Sequence, residues 1–129
     1  MPAVFVFSSD GDLDVFPSLA EAEGYMEAVD VRDGEYGEAF LHDGTVVQIG
    51  VEGERAALTR GTSRDGVRLD EALDEYHRRV AGGVRSGSAL DYANGWFRME
   101  WERRWPRRPI WLARKLHGAQ PTQVSDDLR

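Results

Sequence analysis

One segment of the chain places carboxylates and an imidazole at helical spacing. Asp70, Asp74 and His77 recur at i, i+4 and i+7, so on a helix they would share one face. Two carboxylates and an imidazole could hold a divalent metal. Acidic side chains near a helix start also occur because they favour the helix dipole, and the sequence identifies no further ligands. A metal-dependent hydrolase is therefore kept as an alternative, and neither a metal nor a cofactor is expected.

The common signatures of enzymes are missing elsewhere. The chain has no cysteine, no G-x-S-x-G or S-x-x-K nucleophile motif, no phosphate-binding glycine loop and no H-E-x-x-H pair. His42 is expected to be exposed just before a turn, and His117 is expected in the last turn of a helix. Neither has a sequence-near partner that would mark it as a general base. We therefore expect a protein without enzymatic activity.

The segment 96–111 holds all four tryptophans of the chain, interleaved with arginine. Arginine and aromatic side chains together can bind a nucleic-acid backbone and stack on bases. The basic residues that would do so are Arg103, Arg104, Arg107 and Arg108. Helical spacing assigns Phe97, Trp101 and Trp105 to the core, which leaves Trp96 and Trp111 as candidate interface residues. Since the isoelectric point is about 4.9, nucleic acid is only the alternative partner.

Charge is divided along the chain. Residues 1–54 carry 13 acidic residues and one arginine, whereas residues 55–129 carry 10 acidic and 15 basic residues. An acidic surface attracts a basic partner and speeds its encounter, although it could also serve solubility or oppose the basic half of the fold. The acidic residues predicted to contact a basic protein partner are Glu23, Glu27, Asp30, Asp33 and Glu35.

The elements that would position these residues follow an α+β order. Apolar runs predict five short strands, over 4–7, 13–16, 36–41, 45–51 and 55–60. A two-residue turn at Asp43-Gly44 would pair Leu41 with Val46 and Phe40 with Val47. Capping residues and helical spacing predict helices over 18–30, 69–81, 88–105 and 109–116. We predict a mainly antiparallel sheet with three to four helices packed on one face.

The length of 129 residues suits one domain, which we place at 1–118, followed by a loose tail at 119–129. The N-terminus lacks the basic and apolar regions of a signal peptide. No run of residues approaches the length of a membrane span. A cytoplasmic protein of unknown oligomeric state is therefore expected.

The segment from Asp12 to Glu23, together with 25–29 and 33–36, resembles small uncharacterised actinobacterial proteins. Some of these resemble the immunity-type partners of polymorphic toxins. The resemblance covers about the first fifty residues and implies a compact α+β cytoplasmic protein that binds and blocks a toxin domain. It carries over no functional residues. The leading hypothesis is a non-enzymatic inhibitory protein that docks a basic, toxin-like partner on the acidic face of the predicted 18–30 helix and the 36–51 hairpin.

Overall fold

Five strands and four α-helices succeed one another in the part of the chain that the computed structural model describes, which is residues 2–82, 85 and 87–104. The strands are β1 (Val4–Ser8), β2 (Leu13–Phe16), β3 (Tyr36–Leu41), β4 (Thr45–Glu52) and β5 (Arg55–Arg64). The helices are α1 (Leu19–Tyr25), α2 (Ala28–Arg32), α3 (Gly66–Tyr76) and α4 (Ala89–Arg104), with a π-helical turn (His77–Ala81) directly after α3. The predicted helix over 109–116 and the predicted tail lie outside the described residues.

The strands form one antiparallel sheet in the order β2-β1-β3-β4-β5. This confirms the α+β class and the predicted strands, although β5 continues to Arg64. The sequence predicts an end at Arg60 because residues 61–64 show no apolar alternation, but the strand continues through them.

Both faces of the sheet are covered, so the prediction that the helices pack on one face is wrong. Phe5 and Phe7 of β1 pack with residues of α3 and α4, whereas Val4 and Val6 pack with residues of α1 and with Met26. Successive side chains of a strand point to opposite faces, and here both sets are buried. The unbroken apolar run over residues 4–7 of β1 is typical of such a strand.

The predicted helix over 18–30 is two helices. Ser18 caps α1 as predicted, since its Oγ accepts a hydrogen bond from the Glu21 N–H at 3.2 Å. Met26 and Glu27 then adopt extended backbone conformations, and Glu27 forms a β-bridge with Arg55. The break lets Met26 reach the core while the chain pairs with the outer edge of β5.

The turn between β3 and β4 contains one residue more than predicted. Phe40 pairs with Val46, and Gly44, at φ +90°, donates its N–H to the Leu41 carbonyl at 2.9 Å. The predicted pairs are therefore wrong by one residue, because Gly44 takes a left-handed conformation after the turn. His42 is buried rather than exposed, and its Nδ1 accepts a hydrogen bond from the Ala3 N–H at 3.1 Å.

Helix α4 has the predicted capping pair, whereas α3 begins at Gly66, before the predicted start at Leu69, with a cap that was not predicted. Asp65 caps α3 by accepting the Arg68 N–H at 3.0 Å. Ser88 and Asp91 cap α4 reciprocally, each accepting the backbone N–H of the other, at distances of 3.1 and 3.2 Å. None of the helices in the described ranges has the length and apolar character that a membrane crossing requires.

Candidate functional site: an acidic groove beside the sheet edge

A groove runs between the α1–α2 pair and the hairpin of β4 and β5. It consists of two adjoining cavities of about 460 and 480 Å³ that share Glu23, Gly24, Arg55 and Ala56. We call it the glutamate groove, after the glutamates that line it, Glu23, Glu27, Glu52 and Glu54. Its basic lining residues are Arg32 and Arg55, and Arg32 donates from Nη2 to the Gly53 carbonyl at 2.7 Å. The lining therefore carries more negative than positive charge.

Glu23 is held in the groove by the edge of the sheet. Strand β5 lies at that edge, and the Leu58 N–H donates to Glu23 Oε2 at 2.8 Å. The β-bridge between Glu27 and Arg55 covers the same edge at the start of β5. Together these contacts protect the first half of β5 from pairing with another chain. Glu23 thus stabilises the fold as well as contributing charge to the groove.

The other predicted contact residues lie on α2 and in the turn after it. Asp33 and Glu35 are exposed, Asp30 is partly exposed, and the Glu35 N–H donates to the Asp30 carbonyl at 3.1 Å. Burial and then the nearby charge of Asp30 raise the pKa of Tyr36, and Glu35 contributes in the same direction. The contributions of Asp30 and Glu35, which are smaller than that of burial, come from negative charge near the Tyr36 ring. The five predicted acidic residues thus lie on the α1–α2 layer and the turn that follows it, two in the groove and three on α2 or just after it.

Apolar side chains are exposed within this acidic surface. Val29 lines the glutamate groove and is 53% exposed, and Tyr25 of α1 is 61% exposed. Tyr25 lies against the Phe16 ring at a centroid distance of 5.3 Å, which limits its freedom. Exposed aromatic and aliphatic groups surrounded by charge are typical of protein-binding surfaces.

The candidate metal ligands of α3 are engaged by an arginine. Arg85 donates from Nη2 to Asp70 at 3.2 Å and from Nε to Asp74 at 3.0 Å, and its side chain is only 8% exposed. His77 packs edge-on against the Tyr92 ring, at a centroid distance of 6.3 Å. Within the described ranges, no group of three or more histidine, aspartate or glutamate side chains is arranged to hold a metal ion.

Trp96 does not lie off the core-facing side of α4, contrary to the sequence prediction. It is partly buried against the core, with its ring 6.4 Å from Tyr76 and 6.4 Å from Tyr92 between centroids. Phe97 packs against the same cluster, so the buried stripe of α4 is wider than one row of residues. Arg103 and Arg104 end α4, with side chains that are not described. Outside the described residues lie Trp105, Arg107, Arg108, Trp111 and His117.

Sequence reasoning missed half of the groove. Glu52 and Glu54 lie at the turn between β4 and β5, about thirty residues from the acidic residues of α1, and local pattern gives no reason to place them together. The available sequence signal is the glycine between these two glutamates, which is typical of a tight hairpin turn. Gly53 does take a positive φ there, of +64°.

Known proteins give no further guide to the groove. The chain matches no protein-family model, no curated protein and no solved structure. Function is therefore inferred from the residues of the groove and the charges around it.

Proposed function

We propose that the protein is a non-enzymatic binding protein of the immunity type, which docks a basic, toxin-like protein on its α1–α2 layer. The observation that carries the proposal is the glutamate groove, where α1, α2 and the β4–β5 hairpin bring four glutamates together. The negative surface continues to the end of α2 through Asp33 and Glu35. A partner with a basic surface would be complementary to both regions.

The charges of this layer favour a cationic partner. Residues 18–35 contain six carboxylates and one arginine, and that arginine is directed to the Gly53 carbonyl. Such a surface raises the rate at which a cationic partner arrives, and it disfavours anionic partners through repulsion. The cytoplasmic location and the inhibitory role are part of the same proposal and come from the resemblance to immunity-type proteins.

The shape of the site favours a protein over a small molecule. The groove is partly open to solvent, and exposed Val29 and Tyr25 extend the contact area beyond the charged residues. Small-molecule sites instead enclose most of their ligand. Tyr25 would be the aromatic anchor of the interface, since tyrosines that become buried on binding often contribute much of the binding energy.

The test compares two triple variants with the same change in charge. The first reverses three exposed acidic residues of the proposed face, Glu27→Lys, Asp33→Lys and Glu35→Lys. The control reverses three exposed acidic residues of α3 and α4, Glu71→Lys, Glu100→Lys and Glu102→Lys. Glu23 is left unchanged because its carboxylate supports β5.

A protein that the tagged wild type captures from its own cells is identified, purified and titrated calorimetrically against the three forms. We expect a basic protein that binds the wild type and the control alike and binds the first variant at least about tenfold more weakly. Equal binding by all three forms would refute the proposal, as would a captured partner without a basic surface.

A further inference from the structure

A second cleft, of about 480 Å³, lies on the α3 side of the sheet between the β1–β2 turn and α3. Three irregular features of the backbone meet there. The pairing of β1 with β3 shifts register between Val6 and Ser8, Gly11 takes φ +92°, and α3 passes into its π-helical turn. β-bulges and π-helical turns recur at functional sites, where they redirect side chains. We call this site the turn cleft.

Arg79, from the π-helical turn, reaches into the turn cleft. Its Nη2 donates to the Gly11 carbonyl, and its Cζ lies 6.0 Å from the centroid of the Tyr76 ring. A carbonyl acceptor and an aromatic face, with the Asp10 carboxylate alongside, are the groups that recognise a guanidinium.

The surroundings of Arg79 are negative. The hydrogen bond from Ser8 lowers the pKa of Asp10, and the charge of Arg79 adds to this effect. Burial and then the charge of Asp12 raise the pKa of Tyr76, while Arg79 opposes that rise. Arg68, the other cation of the lining, is bound by both oxygens of Glu38, at 2.7 and 2.9 Å. The turn cleft therefore favours a cation in the position that Arg79 occupies.

We propose that the turn cleft is a guanidinium-binding slot, which Arg79 fills in the free protein and which an arginine of a basic partner can take over. Arg79 is exposed, and exposed charged contacts are weak, so exchange costs little. The turn cleft also adjoins the proposed interface, since the Ser9 N–H donates to the Glu35 carbonyl at 2.8 Å. Only the source of the entering arginine rests on the proposed function; the slot itself does not.

The experiment uses methylguanidinium as the probe and the Arg79→Ala variant of the full chain. Amide shifts of Gly11 and Asp10 are followed by NMR, with methylammonium as the control cation at concentrations too low to denature. We expect saturable binding of methylguanidinium to the variant, about fivefold tighter than to the wild type, because Arg79 no longer competes. Methylammonium, which lacks the planar fork, should bind more weakly.

Two further variants make the result decisive. Arg79→Met keeps the aliphatic stem, so it provides the empty slot if Arg79→Ala does not fold. Adding Asp10→Asn to either variant should weaken methylguanidinium binding. The slot is refuted if neither Arg79 variant shows saturable shifts, or if the wild type binds methylguanidinium as tightly as they do. A slot that binds methylguanidinium in a protein that captures no basic partner would retain this inference and refute the proposed function.

Discussion

The carboxylate of Glu23 faces the groove and at the same time accepts the Leu58 N–H. Replacing it with alanine would leave that N–H of the edge strand without its acceptor, at a cost of about 1–3 kcal/mol in the free energy of unfolding. Glu23→Gln keeps an oxygen acceptor and should lose much less. Urea denaturation of both variants checks this, with Glu27→Ala as a control that removes an exposed glutamate of the same groove. Equal losses for Glu23→Ala and Glu23→Gln would show that the hydrogen bond does not contribute.

Asp14 of β2 gives the clearest pH dependence. Burial, followed by the charges of Glu100 and Asp12, raises the pKa of Asp14 above its ordinary value. The folded protein therefore holds this proton more tightly than the unfolded chain does. The resulting stability is fully present below the ordinary aspartate pKa and is lost as pH rises through the raised value. Asp14→Asn should consequently raise the melting temperature at neutral pH.

The gain from Asp14→Asn should disappear when the pH falls below the ordinary aspartate range. Melting curves of wild type and variant across acidic and neutral pH measure it. Asp33→Asn, which removes an exposed carboxylate, controls for the general effect of lowering a net charge of −7. A pH-independent gain would contradict the assignment to Asp14.

At the scale of elements, α1 contains a glycine that its packing does not require. A Cβ at Gly24 would meet nothing within 4 Å, so Gly24→Ala should stabilise the protein by about 0.5–1 kcal/mol through helix propensity. Gly44→Ala should destabilise the protein, because Gly44 has a positive φ and a Cβ there would lie 2.6 Å from the Gly66 Cα. Chemical denaturation of the two variants tests both. A loss of stability in Gly24→Ala would mean that the groove is tighter than described.

Arg85 joins α3 to the start of α4. Besides Asp70 and Asp74, it donates from Nη1 to the Gly87 carbonyl at 3.1 Å, so one buried guanidinium holds three acceptors. Arg85→Met should cost about 1–3 kcal/mol. Arg85→Lys should recover little, since an ammonium cannot reproduce the fork. Urea denaturation measures the loss of stability in both variants, with Arg78→Met as a control that removes an exposed arginine. Wild-type stability in Arg85→Lys would contradict this description.

Local chemistry predicted the elements well. The caps at Ser18 and Ser88 and the apolar runs of the strands act over a few residues, and a sequence displays them directly. The break at Met26 could not be read from the helical spacing, because it depends on a pairing between Glu27 and Arg55 across the chain. The assignment of helices to opposite faces also depends on contacts between distant elements.

The same distinction applies to the candidate site. The acidic character of residues 18–35 was evident in the sequence, whereas the groove exists only because Glu52 and Glu54 fold against α1 and α2. The Arg79 contact with Gly11 spans 68 residues and could not be predicted from either segment. Asp70 and Asp74 were correctly placed on one helix, but the arginine that binds them comes from beyond its end.

At the scale of the whole molecule, the sheet separates two different surfaces. The α1–α2 layer holds the glutamate groove, while the α3–α4 layer holds the Arg85 contacts and the aromatic cluster around Trp96. Under our proposal the partner docks on the first layer, and only the turn cleft of the second layer adjoins that interface. Charge reversal on the first layer should therefore reduce binding with little effect on melting temperature.

The most direct measurement of the proposed function is the association rate with the purified basic partner as a function of ionic strength. We expect a rate that falls steeply with salt for the wild type and for the control variant reversed at Glu71, Glu100 and Glu102. The variant reversed at Glu27, Asp33 and Glu35 should associate more slowly and with little dependence on salt, because long-range attraction acts on encounter. The same rate and the same salt dependence in all three proteins would contradict the proposed function.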